Sequence, residues 1–287
     1  MSQLNNTIKL LRFPFSIFLL PVSLFSFYFI DVTFSLQFIL LLCIWHVLVF
    51  PSSNGYNSYH DDDDGPIGGI ASPPKPTKQL LHIAYAMDLG AIVLSYFAQP
   101  VFAFFVFIYI AISRLYSNRK IRLKKYPVIG FLVVFIFQGA WVFCANIVAL
   151  APQLNWSTTP IIYAAISCSF LIGTMYPITQ IYQHEADKND DVKTLSIVLG
   201  KRGTFLFSGL IFGCATLCLY LTFNQMNVLN NFWLFHVTMF PATLFFLVWA
   251  IRSFKNEKHV NFKNTMIMLT TSSLLTNLYF FILLLNK

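Results

Sequence analysis

Nine apolar runs, at 13–30, 34–53, 79–97, 99–114, 127–150, 158–178, 203–223, 231–252 and 265–286, take up most of this 287-residue chain. A helix needs about 20 apolar residues to cross a bilayer, and within lipid each backbone polar group has to be satisfied inside its own segment. The runs therefore predict an all-α integral membrane protein of nine transmembrane helices, a single polytopic domain over 1–287. The third and fourth runs are parted only by Gln99-Pro100, which fits a tight turn between antiparallel helices. Charged residues make up 10% of the chain, against about 25% in a soluble domain, so most of the surface is built to meet lipid.

The basic residues test that count. With the N-terminus in the cytoplasm, the loops after helices two, four, six and eight are cytoplasmic. They hold Lys75 and Lys78; Arg119, Lys120, Arg122, Lys124 and Lys125; Lys188, Lys193, Lys201 and Arg202; and Lys255, Lys258 and Lys263. Lys9, Arg12, Arg114 and Arg252 lie at the same face, so 18 of the 19 basic residues share one side. The opposite loops, Asp31–Thr33, Gln99-Pro100, Ala151–Thr159 and Phe223–Asn231, have no lysine or arginine. This is the positive-inside asymmetry, and it accounts for the net charge of +8 without a nucleic-acid partner. The five cysteines all fall inside apolar runs and read as small packed residues. The first run lacks a small-residue cleavage site and is expected to be retained.

Two polar stretches interrupt this pattern. Asn54–Gly69 carries four consecutive aspartates, Asp61 to Asp64, in a chain with 11 acidic residues. The proline predicts that helix two ends at Pro51. If the helix instead continues, Asn54, Ser58 and Asp61 share a face with Asn57 beside them, and Asp63 points elsewhere unless Gly65-Pro66 has unwound the backbone. Residues 65–78 read as a loop from their prolines and glycines. The second stretch, Gln180–Thr194, follows Pro177. Hydroxyl, amide, tyrosine, amide, aspartate and aspartate recur at equal offsets: Ser53, Asn54, Tyr56, Asn57, Asp61 and Asp64 after Pro51; Thr179, Gln180, Tyr182, Gln183, Asp187 and Asp190 after Pro177. An offset of four helices keeps orientation, which predicts pseudo-repeated four-helix units plus one around a central cavity. Each unit then contributes a broken helix end, and Gln183, Asp187 and Asp191 line one helical face.

Two carboxylate clusters at one membrane face repel strongly unless neutralised. Oxygen ligands without cysteine favour Mg²⁺ over Zn²⁺, and Mg²⁺ sites combine one or two carboxylates with water and substrate phosphate. The basic loop Tyr116–Tyr126 offers Arg119, Lys120 and Arg122 as candidate diphosphate contacts, although anionic lipid alone explains its charge. The first metal set is expected to be Asn54, Asn57, Asp61 and Asp63. The second is Asp187 with Gln183 and Asp191, and Asp61 and Asp187 are the catalytic candidates. Aromatic faces suit a carbocation and a closed apolar cavity keeps water from it, so the combination suits ionisation of an allylic diphosphate. Asp88, inside helix three, reads either as a structural partner of a hydroxyl or amide on a neighbouring helix or as a substrate contact; the first is preferred.

The two motifs and the nine helices resemble the UbiA-type membrane prenyltransferases over nearly the whole chain. The resemblance rests on Asn54 with Asp61, Asp62 and Asp63, and on Asp187 before Thr194-Leu195 and Leu199-Gly200. It implies Mg²⁺-dependent transfer of a prenyl chain from a prenyl diphosphate to an aromatic or other lipophilic acceptor in the membrane. The setting expected is a multi-pass protein of the bacterial inner membrane with its active-site loops in the cytoplasm. Two positions depart from the family pattern: Ser58 stands four residues after Asn54 where the family has Asp, and Gln183 stands for the first Asp of the second pair. The alternatives are a catalytically weakened relative or a membrane cation transporter. A transporter needs carboxylates near the bilayer midplane, where only Asp88 qualifies. Phosphatidyl-alcohol transferases need a denser aspartate motif than this chain has, and nine apolar runs exclude the soluble prenyl synthases.

Overall fold

The computed structural model describes residues 3–30 and 35–287. The expected loop Asp31–Thr33 lies outside the described residues. Among those described, nine helices are long and apolar enough to cross a membrane: α1 (Gln3–Tyr28), α2 (Leu36–Asp61), α3 (Lys78–Ala98), α4 (Pro100–Ser117), α5 (Pro127–Leu150), α6 (Thr159–Gln180), α7 (Leu195–Gln225), α8 (Asn230–Lys255) and α9 (Phe262–Leu285). No strand forms among the described residues; a lone antiparallel bridge joins Ile67 and Ile70.

Four boundaries differ from the sequence expectation, each for a local reason. The first helix begins at Gln3, well before the apolar run that starts at 13; Arg12 then adopts a left-handed conformation (φ 49°) before the 3₁₀ turn Phe13–Phe18. Helix α2 does not stop at Pro51. A π turn over Ile44–Val49 widens the helix just before the proline, which removes the clash of its ring with the carbonyl one turn back. The α-helix then runs on from Phe50 to Asp61. Helix α6 likewise carries Pro177 internally and continues to Gln180. The first motif thus rides on a continuous helix end rather than a proline-broken one, while the second begins where α6 stops at Gln180, three residues past its proline. Helix α7 starts at Leu195 rather than 203, with Gly200 (φ 67°) breaking it after its first turn.

Buried polar groups tie the helices together. Trp45 on α2 donates to Asn146 Oδ1 on α5 at 2.9 Å, and Asn146 donates in turn to Ser23 and Ser26 on α1. Gln99 caps α4 by accepting from the Phe102 amide at 2.7 Å, which seals the short turn from α3. Asp88 pairs with Arg114 on α4 and accepts from Ser52 on α2, while the Arg114 guanidinium lies 4.2 Å from the Tyr56 ring centre. That carboxylate is neutralised inside the bundle, which is how an ionised group is tolerated between membrane helices. A close approach of α5 to α6 depends on Gly139: a Cβ there would lie 2.4 Å from Ser169 Cα. Residues of every helix except α3 line one central cavity; α3 packs outside, on α2 and α4.

Candidate active site

The polar end of the cavity is built from three segments. The first is the last turns of α2. Asn54, Asn57 and Asp61 follow at helical spacing on one face, and all three line the cavity. Asp62 caps the helix in a left-handed conformation (φ 51°), its amide donating to Ser58 O at 3.1 Å. The chain reverses there, so Asp63 returns to the cavity wall. Asp62 and Asp64 face outward and pair with Lys75 at 3.3 and 2.7 Å. Ser58 is buried away from the wall, its hydroxyl without a partner.

The second segment follows α6. Gln180, Tyr182, Gln183, Asp187 and Asp190 line the cavity, and Gln183 donates to Pro66 O at 3.0 Å, which ties this motif to the loop after the first. The helix His184–Asn189 is only six residues long. It ends before Asp191, which is exposed and left-handed (φ 53°). The expected face of Gln183, Asp187 and Asp191 is therefore not formed; Asp190 reaches the wall instead.

The third segment is basic. Lys124 lines the cavity and pairs with Asp61. Arg122 lies behind the wall, 7% exposed, and bridges the motifs by pairing with Asp190 and, at 3.4 Å, with Asp61. Arg119 faces outward and donates to the His60 and Asp61 carbonyls at 2.5 and 3.2 Å. Lys120 is exposed. Of the three expected diphosphate contacts, then, none lies on the wall. Two cations that do, Lys124 and Arg12, were not on that short list. Arg12 donates to Asn54 O at 3.3 Å and its Nε is buried without a partner. Its position depends on the left-handed break in α1, which no local motif announces.

Burial raises the Asp187 carboxyl to about 7, against the pull of Lys124 and with Asp61, Asp63 and Asp190 adding to the rise. Burial and the neighbouring Asp61 raise Asp63 to about 6. Asp190 moves the other way: burial opposes ionisation, but its bond to Arg122 outweighs it and lowers the carboxyl. Burial, with Lys201 and Lys188 nearby, lowers His184 to about 4, so the imidazole bonded to Ser196 Oγ at 2.7 Å is neutral.

Asp187 Oδ2 is buried without a hydrogen-bond partner. A buried anionic oxygen is costly unless something meets it, and on the cavity wall that oxygen is available to a ligand. Among the described residues no three His, Cys, Asp or Glu side chains gather closely enough to hold a metal by themselves. A divalent ion here must take further oxygens from amides, water and phosphate, which is the donor set Mg²⁺ prefers. Below this ring the cavity, about 360 Å³ in all, is walled by side chains such as Phe18, Phe50, Leu171, Phe212, Met239 and Phe280. A polar group that accepts cations sits at one end and an apolar tail-sized space at the other. Tyr116 and Tyr176, whose hydroxyls meet at 2.6 Å, line the junction between them.

Known structures share this architecture. A UbiA homolog from Archaeoglobus fulgidus bound to DMAPP and Mg²⁺ matches with a TM-score of 0.70 at 17% identity, over 98% of this chain and 100% of that one. The same description with GPP and Mg²⁺ applies to a second match, at TM-score 0.68 and 17% identity over 97% and 99% of the two chains. A digeranylgeranylglyceryl phosphate synthase matches at TM-score 0.62 and 18% identity, over 98% and 99%. No curated protein matches the sequence. The family model of the UbiA prenyltransferases matches residues 18–283, and with it the nine helices and their shared cavity place this chain in the UbiA prenyltransferase family.

Proposed function

We propose that the chain transfers a prenyl group from a prenyl diphosphate to a lipophilic acceptor, aromatic in the first instance, with Mg²⁺ as cofactor. The observation that carries this reading is that Asp61 and Asp187, 126 residues apart in sequence, line the same cavity, whose far end is apolar. The relatives of like fold were solved with DMAPP or GPP and Mg²⁺, which agrees with that assignment of the two ends.

Asp187 and Asp61, with Asp63, Asn54, Asn57 and Gln183, are the residues that would hold Mg²⁺, which neutralises the diphosphate leaving group. Asp191 is left out because it lies off the wall. Lys124 and Arg12 bring positive charge to the same end and suit phosphate oxygens. Tyr116 and Tyr176 line the cavity beside the carboxylates, where aromatic rings would stabilise a developing carbocation, and the apolar walls beyond would keep water from it. The protein is a multi-pass membrane protein; its N-terminus and the mouth of the cavity are assigned to the cytoplasm from the basic residues at that end, in the inner membrane of a bacterium.

The test is purified protein incubated with Mg²⁺, labelled prenyl diphosphates of increasing length and a native lipid extract. Diphosphate release and a labelled lipophilic product are expected, both lost in Asp61→Ala and Asp187→Ala while the helical content is unchanged. Turnover persisting in either variant removes that residue from the site, and cation flux in liposomes that survives Asp61→Ala replaces the reading with transport.

A further inference from the structure

The two oxygens of Asp61 are already taken by protein. Oδ2 accepts from Asn57 Nδ2 at 2.8 Å. Oδ1 is paired with the Lys124 ammonium and lies 3.4 Å from Arg122 Nη2. The side chains are sequestered: Asp61 is 6% exposed, Arg122 9% and Lys124 12%. The two cations are not equivalent. Arg122 is also held by Asp190, through the side chain and through the main-chain oxygen at 3.1 Å, so it cannot leave Asp61 without disturbing the link between the motifs. Lys124 makes no other hydrogen bond or ion pair among the described residues, and it lines the cavity.

A metal ion that binds Asp61 through Oδ1 takes the oxygen that Lys124 holds. Two cations at contact distance around one buried oxygen repel strongly, so metal and ammonium compete. A diphosphate changes the balance, because its oxygens accept an ammonium as readily as a carboxylate does. The lysine stem, with its four rotatable carbons, allows that exchange without a backbone shift. We propose that Lys124 makes metal binding and diphosphate binding mutually dependent, guarding Asp61 against the metal until a diphosphate draws the ammonium away. Lys124 is thereby a positioning residue that admits the metal together with the substrate. Linkage makes the effect reciprocal: diphosphate tightens the metal by the factor by which metal tightens diphosphate. This inference rests on the assignment of Asp61 to the metal in the proposed function.

The experiment uses full-length protein in detergent, with Mn²⁺ as the probe and its free concentration read by electron paramagnetic resonance. Titrations are run with and without inorganic pyrophosphate, and the Mn²⁺–pyrophosphate complex measured without protein is subtracted. In the unaltered chain pyrophosphate should tighten Mn²⁺ about tenfold, within the usual range for coupled sites. Lys124→Met should bind Mn²⁺ tighter without pyrophosphate and lose most of the pyrophosphate effect. Lys124→Gln repeats the test should the methionine variant fold poorly. Lys125→Met removes the same charge from a lysine that lies 5.1 Å from the Tyr126 ring centre, away from Asp61, and should leave both affinities as they were. An unchanged coupling in both Lys124 variants, or an equal gain of Mn²⁺ affinity in Lys125→Met, overturns the proposal. Asp61→Asn separates the two readings. If it abolishes Mn²⁺ binding, the metal assignment stands whatever the lysine variants do; if it leaves Mn²⁺ binding intact, the assignment and the proposal built on it both fall.

Discussion

Asn57 donates from Nδ2 to Oδ2 of Asp61 across 2.8 Å, one helical turn along α2. Asn57 is itself fixed, because its Oδ1 accepts from Ser117 Oγ on α4 at 2.8 Å. The rotamer of the first-motif carboxylate is thus set by a neighbouring helix and not by its own helix alone. Replacing Asn57 with Leu removes the bond to Asp61 Oδ2, leaving that carboxylate held only at Oδ1 by Lys124 and Arg122, and strands the Ser117 hydroxyl, at a stability cost of about 1–3 kcal/mol. Turnover should fall at least about tenfold, because small misplacements at a reacting centre are expensive. Diphosphate release compared with thermal unfolding in detergent checks this: a drop in activity no larger than the drop in folded protein would rule out the positioning role.

The second motif carries a pH signature. Burial puts the Asp187 carboxyl at about 7, so it holds its proton below that value, and under the proposed function a divalent ion has to displace that proton to bind there. Divalent-ion affinity should therefore rise from pH 6 to pH 8, and Asp187→Asn should be weak and flat across the range. The stability effect has the opposite sign. An unfolded aspartate ionises near pH 4 while the folded one still holds its proton, so without divalent ions stability falls as pH rises from about 4 through about 7. Unfolding followed over that window with a chelator present should show the decline, and Asp187→Asn should lessen it.

Arg122 ties Asp61 to Asp190. Lysine at this position cannot reach both carboxylates as the guanidinium fork does. Arg122→Lys should leave the bundle folded but loosen 181–194, which packs on the rest of the site through few other bonds. The Asp190 side chain is about 35% exposed and lysine keeps one cation at the position, so the cost should be about 1 kcal/mol. Limited proteolysis reads the change: cleavage within 181–194 should quicken while the helices stay protected. Unchanged cleavage would show that Arg122 does not hold this segment.

Much of this was readable from the residues. Apolar run lengths and one-sided basic charge found all nine helices, and the recurrence from Pro51 and Pro177 pointed to both motifs. Details that depend on non-local geometry were not readable. Pro51 reads as a helix end because its ring excludes the ordinary hydrogen bond, yet the π turn at Ile44–Val49 absorbs that loss. Asp191 reads as a wall residue at helical spacing, but the helix stops at Asn189 and the left-handed turn brings in Asp190. Arg122 and Lys124 lie two residues apart in a basic run, and only the tertiary fold separates the clasp from the cavity lysine.

Asp88 and Arg114 form a charge pair inside the bundle, completed by Ser52, which donates to Asp88 and accepts from Arg114 Nη2 at 2.7 Å. Asp88→Ala alone leaves a guanidinium uncompensated between helices and should destabilise the protein by about 3–5 kcal/mol. Asp88→Asn with Arg114→Gln removes both charges and should recover part of that loss. The coupling between the two positions, measured as a double-mutant cycle of unfolding in detergent, should exceed about 1 kcal/mol.

Gly139 tests the packing on which the cavity rests. Its backbone leaves the helical region (φ −100°, ψ −106°) in the π turn of α5, and it abuts Ser169, whose hydroxyl accepts from the Ala140 amide at 2.9 Å. A methyl group would meet Ser169 backbone at 2.4 and 2.6 Å, where no flexible side chain can move aside. Gly139→Ala must therefore push α5 from α6 and displace Phe137 and Gln138, which line the cavity. A cost of more than about 2 kcal/mol is expected, at the upper end for overpacking, together with impaired turnover in the folded fraction. Gly213 lies in α7, and a Cβ there meets nothing within 4 Å. Gly213→Ala should gain up to about 1 kcal/mol from helix propensity alone and leave turnover unchanged. Equal behaviour of the two alanine variants would mean that the contact at Ser169 does not set the spacing of α5 and α6, and that the cavity is held open by something else.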